Sequence, residues 1–179
     1  MHHVAQNTLN PGIKSYQQKL RKMYPSLEPS IKKELEKLLK SNIIFPVRHT
    51  QWISNLVPVR KMNGEIRLCV YFHNLNRAFE KDNYLVPSME QILQKVSLLE
   101  MFSLLDGFYS YNKVLVTSFD QINTSFRTPW GTFSYIRMPF RLINAAATFQ
   151  RDIDIAFIGL MQNFVAVYLD ANNLFKETT

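Results

Sequence analysis

The chain has 179 residues, a formal charge of +7, 46% hydrophobic and 20% charged residues, the profile of a globular, water-soluble protein with one sizeable core or two small subdomains sharing one. No apolar stretch is long enough to cross a bilayer, and the N-terminus lacks the basic-then-apolar pattern of an export signal. The single cysteine, Cys69, rules out an internal disulfide, so the expected setting is intracellular, in cytoplasm or nucleus, where thiols stay reduced.

Residues 1–27 show no sustained periodicity and contain Pro11, Gly12 and Pro25, which predicts an extended leader. Ser30 is placed to cap a helix from Ile31, and Ile31, Leu35, Leu38, Leu39 and Asn42 fall on one stripe ending near Ser41-Asn42. Two alternating runs follow, Asn55-Leu56-Val57-Pro58-Val59-Arg60 and Glu65-Ile66-Arg67-Leu68-Cys69-Val70. The Asn63-Gly64 pair between them predicts a hairpin over 55–70, with Lys61 and Arg67 near its tip. Ser88 with Gln91 reads as a capping box opening an amphipathic helix with Met89, Ile92, Leu93 and Val96. A buried strand is expected over 101–105 and a helical turn over 107–113. Further strands are expected over 122–127 and 132–137, joined by Thr128-Pro129-Trp130-Gly131. A helix from Asn144 to Ile158 has Ala145, Ala147, Thr148, Ile155 and Ala156 suited to close packing, and the last strands are 164–169 and 173–175. The mixed order of elements favours an α+β fold over a doubly wound parallel sheet. There is no internal repeat and no low-complexity segment.

Two carboxylates stand out. Asp106 closes the apolar run Phe102-Ser103-Leu104-Leu105, and Asp170 closes Phe164-Val165-Ala166-Val167-Tyr168-Leu169. Carboxylates at the ends of neighbouring strands make an oxygen site for hard divalent cations such as Mg²⁺. Taken alone, Asp106 would more often be a helix N-cap or turn residue than a metal ligand, and Asp170 a turn residue in a hairpin. The four histidines show no ligand spacing.

The positive charge is concentrated at one end. Residues 1–61 carry eleven Lys/Arg against three acids, +8, while the remainder carries ten against eleven, −1. Such a face attracts phosphate backbones. A solvated helix face with pairs such as Glu36–Lys40 accounts for the same charges equally well.

Several segments, in order, resemble the fingers and palm of a reverse transcriptase from a gypsy-type long-terminal-repeat retrotransposon, with plant elements most alike. They are Gln18-Lys19-Leu20-Arg21-Lys22-Met23, Trp52-Ile53-Ser54-Asn55-Leu56-Val57-Pro58-Val59 and Asn63-Gly64-Glu65-Ile66-Arg67-Leu68-Cys69-Val70. Next come Phe102-Ser103-Leu104-Leu105-Asp106-Gly107-Phe108 with Tyr111-Asn112, then Phe126-Arg127-Thr128-Pro129-Trp130-Gly131-Thr132-Phe133. Arg137-Met138-Pro139-Phe140, Asn144-Ala145, Ala147-Thr148-Phe149-Gln150-Arg151 and Tyr168-Leu169-Asp170 complete the series. It spans residues 18–175 or so.

The resemblance implies an α+β polymerase fold, with a mixed or antiparallel palm sheet packed on helices. It divides the chain into a basic leader (1–29), a fingers-like part (30–100) and a palm-like part (101–179), interleaved near their boundary. The thumb would be missing from such a chain. The implied activity is that of an RNA-directed DNA polymerase, a nucleotidyltransferase, acting on an RNA or DNA primer–template and a dNTP with two Mg²⁺ ions roughly 4 Å apart. Asp106 and Asp170 would be the catalytic, metal-binding carboxylates. Tyr111 would lie beneath the sugar of the nucleotide, where its ring excludes a 2′-hydroxyl. Lys61 and Arg67 would reach the triphosphate, and Phe140 would line the nucleotide and template pocket.

The departures from the family pattern are as informative. Ala171 stands where a Tyr-x-Asp-Asp motif has its last Asp. Tyr71, His73 and Asn74 replace two acids and an Arg of a Cys-Val-Asp-Tyr-Arg-Asp-Leu-Asn segment. Arg141 replaces the Gly of Met-Pro-Phe-Gly-Leu, where backbone often needs φ > 0, and would obstruct the template groove. The expectation is a truncated reverse transcriptase domain with impaired catalysis. The alternative is a non-catalytic, nucleic-acid-binding remnant of a retrotransposon Pol polyprotein. The oligomeric state is not legible.

Overall fold

The two alternating runs around Lys61 form the centre of the molecule. A computed structural model describes residues 4–5, 7–62, 64–97 and 114–158, with the backbone alone described for Val4, Met89, Ile92, Lys95 and Val96. In chain order the elements are β1 (Val4–Ala5), α1 (Glu28–Lys40), β2 (Ile44–Pro46), β3 (Ser54–Arg60), β4 (Ile66–Tyr71), α2 (His73–Ala78), α3 (Met89–Val96), β5 (Leu115–Val116), α4 (Ser118–Gln121), β6 (Phe126–Thr128), β7 (Gly131–Tyr135) and α5 (Ala145–Ala156). The fold is α+β with a mixed sheet.

Five strands join in the order β2-β7-β6-β3-β4. All pairs are antiparallel except β3 with β6, where Ser54 lies opposite Phe126. The sheet therefore takes strands from both sides of residue 100. The hairpin is where the sequence places it, with Asn55 opposite Tyr71 and Arg60 opposite Ile66. Its turn closes through Gly64 N–H donating to the Lys61 carbonyl at 3.0 Å. Gly64 has φ +84, which glycine adopts without steric cost.

Alternation sorts the hairpin into two faces. Leu56 and Val70 point into the core, with Ile66 and Leu68 packed on it. Phe126, fully buried, meets Tyr135 at 5.3 Å and Phe133 at 6.0 Å between ring centroids. Burying each such ring contributes about 2–3 kcal/mol. α1 covers the core with Ile31 and Leu35, and Leu38 and Leu39 pack at its edge.

Several expectations need correction. α1 begins at Glu28, three residues before the predicted start. Pro29 sits in its first turn, where its missing N–H costs nothing, so Ser30 lies inside the helix and does not cap it. Residues 122–124 form a 3-10 turn, and the strand there starts at Phe126. α5 ends at Ala156, and Ile155 and Ala156, expected to pack, are exposed. The Ser88–Gln91 capping box is present with both of its hydrogen bonds. The strands expected at 101–105, 164–169 and 173–175, and the turn at 107–113, lie outside the described residues.

The described leader residues are mostly extended, with a 3-10 turn at Pro25–Leu27, and they are built into the fold. β1 pairs in parallel with β5. Asn7 N–H donates to the buried Asp120 carboxylate at 2.8 Å, which also accepts from Thr117 Oγ1 at 2.8 Å. Asn10 N–H reaches the Ala78 carbonyl and Glu80 N–H the Thr8 carbonyl. Further along, Gln18 N–H donates to the Ile53 carbonyl at 2.8 Å, and the Gln18 side chain accepts from Asn55 N–H at 2.9 Å. Residues 4–5 and 7–18 are thereby held against both sheets and α2.

Candidate nucleotide and nucleic-acid face

The face of the hairpin turned away from the core carries Val57, Val59, Arg67, Cys69 and Tyr71, by strand alternation. At its tip Lys61 Nζ lies 3.3 Å from Glu65 Oε2. Both side chains are substantially exposed, so this pair contributes a few tenths of a kcal/mol at most.

Arg67 lies opposite Val59 and two residues from Cys69 on the same face. Burial pushes the Cys69 thiol above its ordinary pKa, and the positive charges of Arg141 and Arg67 oppose that rise. Both guanidinium charges thus act on the same thiol. One was expected to contact phosphate and the other to intrude on a groove.

Arg141 adopts φ +77, the conformation for which glycine is suited. The Asn76 side chain holds the turn from both sides. Its Nδ2 donates to the Arg141 carbonyl at 2.8 Å, and its Oδ1 accepts from Ile143 N–H at 3.0 Å. Arg141 Nε is buried with no hydrogen-bond partner among the described residues. Phe140, one residue earlier, is half-buried against the core. Tyr71 is 49% exposed, and its ring stacks on His73 with centroids 5.6 Å apart and planes 7° from parallel.

Of the predicted site residues, Lys61, Arg67, Tyr71, Phe140 and Arg141 are described. Asp106, Tyr111, Asp170 and Ala171 lie outside the described residues. Among the described residues no cluster of three or more His, Cys, Asp or Glu is arranged to hold a metal, and no helix is long and apolar enough to cross a membrane.

Sequence reasoning missed a polar network between α5 and the segment around Asp82 and Tyr84. Arg151 Nη2 reaches both Asp82 oxygens, at 2.7 and 3.0 Å, and its guanidinium lies 4.6 Å from the Tyr84 ring centroid. Tyr84 Oη donates to Asp154 at 2.5 Å, and the buried Gln150 donates to the other Asp154 oxygen at 2.9 Å. Burial pushes the Asp82 carboxyl up, but the hydrogen bonds from Arg151 and Tyr84 N–H and the charge of Arg151 outweigh it, so its pKa is lowered. The hydrogen bond to Asp154, with burial second, raises the Tyr84 pKa. The Phe149-Gln150-Arg151 run was the available signal, but its partners lie some seventy residues away in the chain.

No protein-family model matches the chain. The Pol polyprotein of the Drosophila melanogaster transposon gypsy is 30% identical over 86% of this chain and 16% of its own length. That of transposon 297, also from Drosophila melanogaster, is 28% identical over 98% of this chain and 17% of its own. Polyprotein P3 of Commelina yellow mottle virus is 29% identical over 96% of this chain and 10% of its own. The chain thus spans 10–17% of the length of these relatives. Among solved structures, native prototype foamy virus protease-reverse transcriptase superposes with a TM-score of 0.73 at 20% identity, over 94% of this chain and 22% of the other. The foamy viral enzyme in complex with an RNA/DNA hybrid gives 0.71 at 19% identity, over 94% and 22%. The chain thus has the fold of solved reverse transcriptases, and in sequence it is similar to a segment of transposon and viral polyproteins, the gypsy-type Pol polyproteins among them.

Proposed function

We propose that this domain is the fingers-and-palm part of an RNA-directed DNA polymerase that receives a primer–template and a dNTP, and that its own nucleotidyl transfer is impaired. The observation that carries the impairment is Tyr168-Leu169-Asp170-Ala171, in which Ala171 offers no oxygen ligand and Asn172 is neutral and displaced by one position. Nucleic acid as partner is supported by the solved foamy viral relatives in fold, one in complex with RNA/DNA hybrid and one with dsDNA. The charge of residues 1–61 is of the matching sign.

Asp106 and Asp170 are the residues that would hold Mg²⁺, and two carboxylates are the right donor chemistry for it. When bound, the ion neutralises charge on phosphoryl oxygens. The remaining contributions come from the chain. Arg67 and Lys61 bind and orient phosphate through N–H donors. Tyr111 orients the sugar, and Phe140 packs where base and template would lie. With the acidic set reduced by one, charge stabilisation at the reacting phosphorus falls, and positioning alone leaves most of the barrier in place.

The test is primer extension with Mg²⁺ and with Mn²⁺, comparing the chain with Ala171→Asp and Asp106→Asn. The expected result is no detectable extension by the chain and little recovery in Ala171→Asp, because Tyr71 and Arg141 remain. Synthesis by the unmodified chain that Asp106→Asn abolishes would overturn the proposed impairment.

A further inference from the structure

One buried side chain joins the leader to the polar network on α5. Asn144 stands just before α5, but its side chain does not cap the helix. Its Nδ2 donates to Asn7 Oδ1 at 3.0 Å and to the Glu80 carbonyl at 2.9 Å, and its Oδ1 accepts from Asp82 N–H at 2.9 Å. The Asp82 carboxylate in turn accepts from Tyr84 N–H and from Arg151. At the other end Asn7 N–H is fixed on the buried Asp120 carboxylate, and Leu9 bridges Phe79 in antiparallel fashion. The hydrogen bonds therefore form one continuous series, Asp120–Asn7–Asn144–Asp82–Arg151, through α4, the leader, the start of α5 and the segment after α2. Neither Asp82 N–H nor Tyr84 N–H donates to the leader, so both are linked to it through Asn144. Undocking the leader removes an acceptor from Asn144 and a donor from Asp120. Both groups are buried, where an unmade hydrogen bond is costly. The docked leader and the closed 80–84 segment thus favour each other.

We propose that the leader is a strap whose docking at Asn7 locks the 80–84 segment onto α5, so that strap and segment open and close as one unit through Asn144. The device lies outside the polymerase reading. It uses none of the residues assigned to metal, nucleotide or primer–template, and it holds whether or not the domain extends a primer. By linkage the coupling runs both ways: whatever loosens the leader loosens Asp82 and Tyr84, and whatever loosens that segment loosens the leader. The bonds from Asn55 to the backbone of Lys19 and Arg21 lie further along the leader and outside this unit.

The experiment is amide hydrogen exchange of the full chain, resolved residue by residue by NMR, which reads local opening short of global unfolding. Asn7→Ala removes the acceptor of Asn144 but keeps Asn7 N–H on Asp120. It is expected to speed exchange at Asp82 and Tyr84 about tenfold, the effect of losing one hydrogen bond between buried partners. The paired amides of β3 and β4 should stay within about twofold of the parent, since they lie outside the unit. In the reverse direction Asp82→Asn, which weakens the Arg151 pair at the far end of the series, is expected to speed exchange at Asn7 and Asn10 severalfold. Asn55→Ala is the control: it frees the backbone of Lys19 and Arg21 and should leave Asp82 and Tyr84 protected. Unaltered exchange at Asp82 and Tyr84 in Asn7→Ala overturns the strap, as does an Asp82→Asn chain whose leader stays protected. An equal rise at β3 and β4 overturns it too, because the variant then lowers only the stability of the whole domain. Loosening of Asp82 and Tyr84 by Asn55→Ala would overturn Asn7 as the joint.

Discussion

Replacing Arg141 by glycine should make this domain more stable. At φ +77 an L-residue carries strain of about 1 kcal/mol. The buried, unpartnered Nε adds about 1 kcal/mol more. Against this, glycine frees the unfolded chain by about 0.5 kcal/mol, and loss of the half-buried aliphatic stem costs on the order of 0.5 kcal/mol. The net gain for Arg141→Gly is about 1 kcal/mol, or a rise in Tm of about 2–4 °C for a chain of this size. The Asn76 clamp bonds only backbone atoms of the turn, so it survives the change. Arg141→Ala is the control. It removes Nε and the stem but keeps the strained φ, and should fall close to the parent. Urea and thermal unfolding of the three chains provide the assay. If Arg141→Gly were no more stable than Arg141→Ala, the strain argument would fail.

Two other expectations concern charge. Asp82 has its pKa lowered in the fold, so its pairing with Arg151 contributes stability above the ordinary carboxylate pKa and loses it as pH falls through the folded value. Asp82→Asn should therefore be less stable than the parent by about 1 kcal/mol at pH 7, with the gap closing below about pH 4; a gap in urea midpoints that persists at pH 3 would point to packing instead. Neutralising Lys19, Arg21, Lys22, Lys32 and Lys33 together should weaken duplex binding and flatten the plot of log affinity against log salt, by about 0.9 for each phosphate that the variant no longer neutralises. An unchanged slope would mean that these side chains only solvate the surface.

Local sequence determined the elements whose signals are short-range. The Asn63-Gly64 turn between alternating runs specified the hairpin and its register, because a one-residue slip would turn Leu56 and Val70 out of the core. Ser88 and Gln91 specified the start of α3 through bonds that span three residues. A glycine-preferring position at Arg141 was legible as well, and the positive φ is there. The family order of motifs supplied the fold class.

Tertiary structure alone decided how distant segments meet. Nothing in residues 1–27 announces that β1 pairs with β5 more than a hundred residues away, or that Asn7 satisfies the buried Asp120. The short apolar runs of the leader have no period, so their pairing energy comes entirely from partners elsewhere in the chain. The parallel register of β3 with β6, the Asp82–Arg151 contact and the Asn76 clamp on the Arg141 turn are likewise non-local. Propensity and alternation act over a few residues, whereas these contacts depend on which buried surfaces fit together once the chain has closed on itself.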